Sequence, residues 1–461
     1  MFGTELRRRR VAAGLSLAAF ARLVHYSKSH LSKVETGAKA PSPDLARRCD
    51  SALDCGGELA GLVPVAETRG TAEQTITETD RGEVWLLTLD DMGTNGFRPV
   101  SRREVLAAGG AAGLGLGMAG FGYVPSGPPG TPGPSPAHGA DGGREAVTAF
   151  RAVFDQLRHQ GQRWAPGLVV PTLVAQTHAL RTLAAQAGGR DRAEALTLAA
   201  RFAEYTGWMV QEQGDDALAA WWTDRAVDFA EAGGDRDMAA YALVRRGLIA
   251  LYRYDGRLVV ELARQAQAGT GDPRIRGLAA QREAQGLAVT GDYDGCLRAL
   301  DRAAELLSRA AAENPAGAPA RATGTGGTTG GATTPSDLNA APTIGSAHVP
   351  DPVAVATGWC LFDLGRPRQA ADVLHRELAR IPADAHRARA RFGARLALAL
   401  AGCGEPEQAC AVAEEVLDAC GRLQSATVRV DLRGLSRDLN RWPGHPAVRR
   451  TRTRLTEVLR A

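Results

Sequence analysis

A spacing of small and apolar residues around a glycine recurs through the second half of the chain. Each copy has a small residue, an apolar residue three positions on, a glycine four further on, and a small residue five beyond that. The copies are Gly207, Val210, Gly214 and Ala219; Ala284, Leu287, Gly291 and Cys296; Gly358, Leu361, Gly365 and Ala370; Ala397, Leu400, Gly404 and Ala409; and a weaker one through Gly247, Tyr254 and Val259. The repeat predicts stacked helical hairpins, because small residues let helices approach and glycine permits the turn between them.

These offsets resemble the tetratricopeptide repeat, a family of paired antiparallel helices. The resemblance covers residues 144–461, where the copies lie about forty residues apart. It implies an α-solenoid of tetratricopeptide-like helix pairs whose concave surface receives a peptide, a protein or a small molecule. The alanine-rich composition, with only 5% aromatic residues, also favours helices over sheets. Residues 314–346 are rich in Gly, Thr, Ala and Pro and are predicted to be a disordered insertion.

The few aromatic side chains concentrate in one part of this helical half. The cluster contains Tyr205, Trp208, Trp221, Trp222, Tyr241 and Tyr252. Two interpretations stay open at this point. The rings either pack in the core between helices, or some of them line a groove for a ligand or a partner.

Residues 1–63 are predicted to form a separate bundle of five short helices. Thr4, Ser16 and Ser27 stand where side-chain caps would begin the first three helices, and Pro43 stands at the start of the fourth. The residues predicted to form the bundle's core are Leu6, Leu15, Phe20, Leu23, Leu31, Val34, Leu45 and Leu53. Two short helices joined by a three-residue turn indicate a helix-turn-helix bundle.

This bundle resembles the Xre/lambda-repressor-like helix-turn-helix family. The residues that carry the resemblance are Leu15, Ser16, Phe20, Ala21, Ser27, Leu31, Ser32, Val34, Glu35, Gly37, Pro41, Ser42 and Pro43. It implies that the third helix enters the major groove of double-stranded DNA as a recognition helix. It also implies a structural ion pair between Arg10 and Glu35, joining the first and third helices.

Helical geometry places the polar residues of the third helix on one face. With Leu31 and Val34 directed inward, a rotation of about 100° per residue directs Ser29, Ser32 and Lys33 outward. The starts of the second and third helices offer free backbone N–H groups to phosphates. The predicted DNA-binding residues are therefore Arg8, Ser16, Ser27, Lys28, Ser29, Ser32, Lys33 and Lys39.

Charge points to the same end of the chain. Residues 1–63 hold ten basic and six acidic residues, so their excess of four equals the net charge of +4 of the whole chain. Because the remaining residues are balanced, a site for a polyanion is expected in this bundle.

Residues 64–143 are predicted to be a flexible linker, with one apolar run at Val84–Leu87 that could form a short strand. Within it, Arg102 and Arg103 precede a run of Gly and Ala, so residues 101–124 resemble a twin-arginine export signal. Export, reversible membrane contact and a simple linker are the three interpretations. The linker is favoured, because the run is short and rich in glycine for a membrane-spanning helix.

Chemistry-bearing motifs are absent from the sequence. The seven cysteines are scattered and form no metal-binding pattern, which is typical of reduced, buried thiols. We find no P-loop, no HExxH, no GxSxG and no dinucleotide-binding glycine motif after a strand. The expectation is a protein that is not an enzyme and uses no cofactor and no metal. No secretion signal is expected at the N-terminus, because charged residues precede any apolar run.

These observations predict an all-α, cytoplasmic, sequence-specific DNA-binding transcriptional regulator. Its helical array would mediate homodimerisation and sense an unknown peptide, protein or small-molecule effector, without membrane contact. The alternative is a protein-interaction scaffold, with or without a membrane tether, whose helix-turn-helix no longer binds DNA.

Overall fold

The computed structural model describes residues 2–24, 26, 28–53, 55, 57–63, 84–89, 95–100, 140–313, 344–346 and 348–460. Residues 1–66 and 146–461 form one compact unit, and residues 67–145 form a second. The described parts are all-helical, as predicted, apart from one two-stranded hairpin. The export-like segment at 101–124, most of the linker and residues 314–343 of the insertion lie outside the described residues.

The N-terminal bundle contains α1 (Phe2–Ala12), α2 (Leu17–Leu23), α3 (Lys28–Glu35), α4 (Pro43–Ala52) and one turn of 3-10 helix (Ala60–Leu62). This short turn occupies the place of the fifth predicted helix.

Local capping explains where these helices begin. The Ser16 hydroxyl accepts from the Ala19 amide at 3.1 Å and begins α2, while Ser42 accepts from Leu45 at 3.2 Å and begins α4. The prediction for Thr4 was wrong, since α1 already begins at Phe2 and Thr4 lies inside its first turn.

The core of the bundle is mostly the predicted one. The fully buried members are Leu6, Phe20, Leu31, Val34 and Leu45. Leu15 and Leu53 are half-buried at its margin. Leu23 was predicted wrongly: its side chain is 51% exposed, because Val24 supplies the inward side chain at the end of α2.

The second unit contains a single antiparallel hairpin within its described residues. Its strands are β1 (Val84–Leu89) and β2 (Asn95–Val100), with Val84 opposite Val100. The predicted short strand at Val84–Leu87 is therefore present.

The C-terminal half is an array of packed helices. Its members are α5 (Ala140–Arg163), α6 (Pro166–Gln186), α7 (Gly189–Gln213), α8 (Asp216–Ala232), α9 (Met238–Tyr252), α10 (Gly256–Ala268), α11 (Pro273–Thr290), α12 (Tyr293–Glu313), α13 (Pro352–Asp363), α14 (Pro367–Arg380), α15 (His386–Gly402), α16 (Pro406–Leu423), α17 (Ala426–Leu439) and α18 (Pro446–Arg460). Most consecutive helices pack against each other, with α7 against α8 and α11 against α12 among the closest pairs.

The repeated glycines form the turns of five of these hairpins, together with one tyrosine. Gly214, Gly291, Gly365 and Gly404 have φ between 77° and 97°, and Tyr254 takes the same role with φ of 59°. Gly358 shows why small residues precede the turns, since a Cβ there would lie 2.6 Å from Leu374 Cγ. The hairpin positions follow the sequence spacing, and membership of the tetratricopeptide family stays a prediction.

Two further properties bear on earlier expectations. Each of the seven cysteines is a buried thiol outside any disulfide bond. Among the described residues, no helix combines the length and apolar character needed to cross a bilayer.

Candidate DNA interface and array cavity

Helix α3 presents one apolar and one polar face. Leu31 and Val34 are buried, at 0% and 1% exposure, against the rest of the bundle. The outward side chains are exposed Lys28, Ser29 and Lys33 and half-buried Ser32. The face that would enter a DNA groove thus carries three exposed side chains, and no described helix of the array packs over them.

The other predicted DNA contacts lie on the same bundle. Ser16 is exposed at the start of α2. Arg8 is exposed and donates to Glu5 within α1, Nε to Oε2 at 2.8 Å. Lys39 is exposed, with Nζ 3.5 Å from His30 Nδ1. Ser27 lies outside the described residues.

Lys33 and Lys39 place positive charge beside His30 of α3. Partial burial, followed by the charges of Lys39 and Lys33, lowers the pKa of His30 below its ordinary value. Both effects disfavour the charged imidazole, and the two lysines supply positive charge beside α3.

Arg10 and Glu35 form the ion pair expected from the family resemblance. Arg10 Nε lies 2.6 Å from Glu35 Oε1 and Nη2 lies 2.9 Å from Oε2, while Nη1 donates to the Leu15 carbonyl at 2.7 Å. The two side chains are only 10% and 6% exposed. The pair fixes α1 to the end of α3 and to the start of α2, and it is too buried to contact a base.

Helix α4 connects the bundle to the array. Arg48, 5% exposed, donates to the Gly402 carbonyl at 3.2 Å and lies 3.3 Å from Asp438 Oδ2. Its neighbour Arg47 stacks on the Tyr254 ring, 5.4 Å from the centroid. A Cβ at Gly365 would lie 3.2 Å from the Arg48 Cα. Helix α4 therefore rests directly on the array's turns and helix ends.

The array contains a cavity of about 880 Å³. Its walls come from α5, α7, α9, α11, α12, α13 and α15 and from the segment that follows the insertion. Seven arginines line it against two acidic residues, Glu204 and Asp351. Apolar and aromatic walls with a few convergent polar groups are typical of ligand sites of this size.

Half of the predicted aromatic cluster lies on this cavity. Tyr205, Trp208 and Tyr241 line it. Trp222 is 1% exposed in the core, and Trp221 packs edge-on against it with centroids 5.0 Å apart. Tyr252 packs edge-on against Trp359 and does not line the cavity. Both interpretations of the cluster therefore apply, each to different rings.

The cavity arginines and Trp359 were missed from the sequence. A usable signal is present on α15, where Arg387, Arg391 and Arg395 follow one another at four-residue intervals along a helix that is otherwise largely buried. Arginines at that spacing share one helix face. A basic stripe on a buried face indicates a buried polar site.

Most of the cavity arginines have partners in the protein. Arg201 pairs with Asp235 at 3.2 Å. Arg245 pairs with Glu204 at 3.3 Å. Arg387 pairs with Glu212 at 2.9 Å.

Two others fasten the segment that follows the insertion. Arg158 donates to the Gly345 carbonyl at 2.8 Å, and Arg274 donates to the Ile344 carbonyl at 2.7 Å. One wall of the cavity is thereby fixed to α5 and α11.

Comparison with known proteins assigns the N-terminal bundle. Residues 1–62 match the family model of a helix-turn-helix domain. No curated protein matches the chain. The bundle with the exposed α3 face is thus a helix-turn-helix domain, joined in one chain to a helical array.

Proposed function

We propose that the protein is a sequence-specific transcriptional regulator of the Xre type that binds double-stranded DNA through α3. The exposed face of Lys28, Ser29 and Lys33, in a domain that matches the helix-turn-helix family, carries the proposal. Lysine and serine at the start of a recognition helix donate to base edges in the major groove. Ser32 lies on the same side of the helix, half-buried.

Phosphate contacts come from the flanking groups. The start of α2 at exposed Ser16 and the start of α3 beside Ser27 direct backbone N–H groups outward, and Arg8 and Lys39 add charge. These contacts position the domain on the duplex, and α3 supplies the sequence preference.

The array acts as the sensing and dimerisation part. Its contact with α4 through Arg48 supports the sensing role, because a shift of the array's turns would displace α4 of the DNA-binding domain. A homodimer would bind two half-sites of a symmetric operator. The proposal places this regulator in the cytoplasm, assigns it no catalytic activity, and treats the helix pairs as tetratricopeptide-like.

Selection of bound fragments from a random duplex pool by the full-length protein tests the proposal. We expect one enriched motif. Replacing Ser29 and Lys33 by alanine should weaken binding to this motif by about 1 to 3 kcal/mol for each lost base contact. Arg257→Ala is the control, because it removes an exposed positive charge from α10, a helix of the array outside the helix-turn-helix domain. If the protein enriches no motif, the interaction scaffold is favoured. The same holds if the α3 variants bind the enriched motif as tightly as the wild-type protein does.

A further inference from the structure

Arg201, Arg245 and Arg387 pair with carboxylates, and Arg158 and Arg274 donate to backbone carbonyls. Arg282 and Arg391 have neither kind of partner in the part of the chain that the structure describes. Among the described residues, no carboxylate lies within ion-pair distance, 4 Å, of Arg282 or Arg391. The Nε atoms of both are buried without a hydrogen-bond acceptor in the protein. Among the described residues, Arg282 donates through Nη1 to Gln285 Oε1, and Arg391 contacts aromatic rings. Buried donors are satisfied in nearly all folded proteins, so each exception needs an explanation.

These arginines carry like charges that repel one another inside the array. Burial, followed by the charges of Arg391 and Arg245, lowers the pKa of Arg282 to about 9. Such a cluster costs free energy in the folded state. A core that served only for packing would gain stability from apolar side chains at these positions.

Planar aromatic rings surround Arg282 and Arg391 in the cavity. The Arg391 guanidinium lies 5.3 Å from the Trp359 ring centroid and 5.4 Å from that of Tyr252. Trp208 and Phe392 also line the cavity. Four further buried polar atoms on the lining have no hydrogen-bond partner among the described residues: the Trp359 indole N–H, Gln281 Oε1 and the Nε atoms of Arg201 and Arg245.

We propose that this cavity binds a small organic anion, a carboxylate or a phosphate ester on a planar apolar body, with its anionic group held by Arg282 and Arg391. Arginine donates to both kinds of anion in a bidentate manner. The aromatic walls take the apolar body, and the volume of about 880 Å³ suits a molecule of drug size. The site deepens the sensing role under Proposed function and rests on it for its regulatory meaning.

Anilinonaphthalene sulfonate is a suitable probe, because it joins an anionic group to planar rings and fluoresces in apolar sites. Its neutral counterpart, N-phenylnaphthylamine, has the same rings without the charge. We expect saturable binding of the sulfonate to the full-length protein, weakened at least about tenfold by Arg282→Gln and by Arg391→Gln. Binding of the neutral probe should change less than threefold. Arg257→Gln, on the exposed surface of α10, is the matched control and should bind both probes as wild type does.

Displacement identifies the anionic group. Naphthoate and naphthyl phosphate are added separately to the bound probe, and the tighter competitor reports whether carboxylate or phosphate is preferred. Sulfonate binding that is equal in wild type, Arg282→Gln and Arg391→Gln would overturn the proposal, as would equal losses for the charged and neutral probes.

Stability separates a binding role from a structural one. Without ligand, Arg282→Gln should melt at or above the wild-type temperature, since it relieves like-charge repulsion with Arg391 and Arg245. Arg391→Gln relieves the same repulsion but also loses an attraction to Glu212, so its melting temperature should change little. A large fall in the melting temperature of both variants would show that the arginines hold the fold, and would overturn the proposal. The probe experiments contain no DNA, so they can fail while α3 still selects its operator, and the two failures remain distinct.

Discussion

Arg387 and Glu212 lie 175 residues apart in the sequence, and Arg387 Nη1 donates to Glu212 Oε2 at 2.9 Å. Their side chains are 2% and 1% exposed. Arg387 also donates to the Gly161 carbonyl at 2.7 Å and to the Leu423 carbonyl at 3.2 Å. One side chain on α15 therefore joins the early helices α5 and α7 to the end of α16. Because Arg387 also lines the cavity, this pair joins two of the helices that form its walls, α7 and α15.

Removing one partner of this pair should destabilise the array strongly. Glu212→Ala leaves Arg387 buried without a counter-charge, and we expect the free energy of unfolding to fall by about 3 to 5 kcal/mol. Urea denaturation followed by circular dichroism measures the change. Arg190→Ala is the matched control, because the Arg190–Glu194 pair has an 84% exposed arginine and its loss should cost at most about 1 kcal/mol. Equal losses in the two variants would contradict the role assigned to Arg387 and Glu212.

The same pair should make stability depend on pH in the acidic range. Burial alone would raise the pKa of Glu212, but Arg387, Arg391 and the hydroxyls of Ser425 and Thr427 lower it below its ordinary value of 4.5. A carboxylate with a depressed folded-state pKa stabilises the fold above its unfolded-state pKa, and this contribution is lost as the pH falls through the folded-state value. The stability difference between wild type and Glu212→Gln should therefore be constant above about pH 5 and shrink below pH 4.5. Denaturation curves from pH 7 down to pH 3 check this, and a difference that grows in acid would contradict it.

The Arg10–Glu35 pair should matter in the same way to the DNA-binding domain. Glu35→Ala leaves Arg10, 10% exposed, without its bidentate partner, and we expect the bundle to lose about 3 to 5 kcal/mol of stability. Hydrogen exchange of the α1 and α3 amides reads this locally in the full-length protein. Glu58→Ala is the control, since Glu58 also pairs with an arginine of α1 but is 70% exposed. A wild-type exchange rate in Glu35→Ala would show that the pair contributes little.

The contact between α4 and the array can be measured as a coupling energy. Arg48 and Asp438 lie 3.3 Å apart at 5% and 14% side-chain exposure. A double-mutant cycle with Arg48→Met and Asp438→Asn should give a coupling of about 1 to 3 kcal/mol in the free energy of unfolding. Additive single-variant effects would show that the two side chains do not stabilise each other.

Sequence patterns over a few residues predicted local structure correctly. They did not predict contacts between residues that lie far apart in the sequence. The inward position of Leu31 and Val34 followed from helical spacing, and the turns at Gly214 and Gly291 followed from the repeated glycines. These features depend on residues a few positions apart. The prediction that Leu23 is buried was wrong because two neighbouring apolar residues, Leu23 and Val24, could each have filled the inward position at the end of α2.

The cavity and the docking of α4 were not foreseen for a physical reason. Arg282 and Arg391 come together only through packing of α11 near α15, and no local spacing encodes that approach. Arg48, beside Arg47 in a short helix, is indistinguishable in the sequence from a phosphate-contacting residue, and only the packing of Asp438 and Gly402 against it shows its role. Charge on a helix near a DNA-binding surface is thus an ambiguous signal.

The seat of α4 on the array's turns can be tested by adding a single methyl group. At Gly365, with φ of 77°, an added Cβ would lie 3.0 Å from Ser51 Cβ and 3.2 Å from the Arg47 carbonyl oxygen. At Gly234, with φ of 84°, an added Cβ would meet no atom within 4 Å. Both alanine variants incur the backbone penalty of a left-handed residue, about 1 to 2 kcal/mol. Only Gly365→Ala should lose more than that, speed hydrogen exchange in α4, and expose α4 to limited proteolysis. Identical unfolding free energies and α4 exchange rates in the two variants would show that α4 does not rest on this turn in solution.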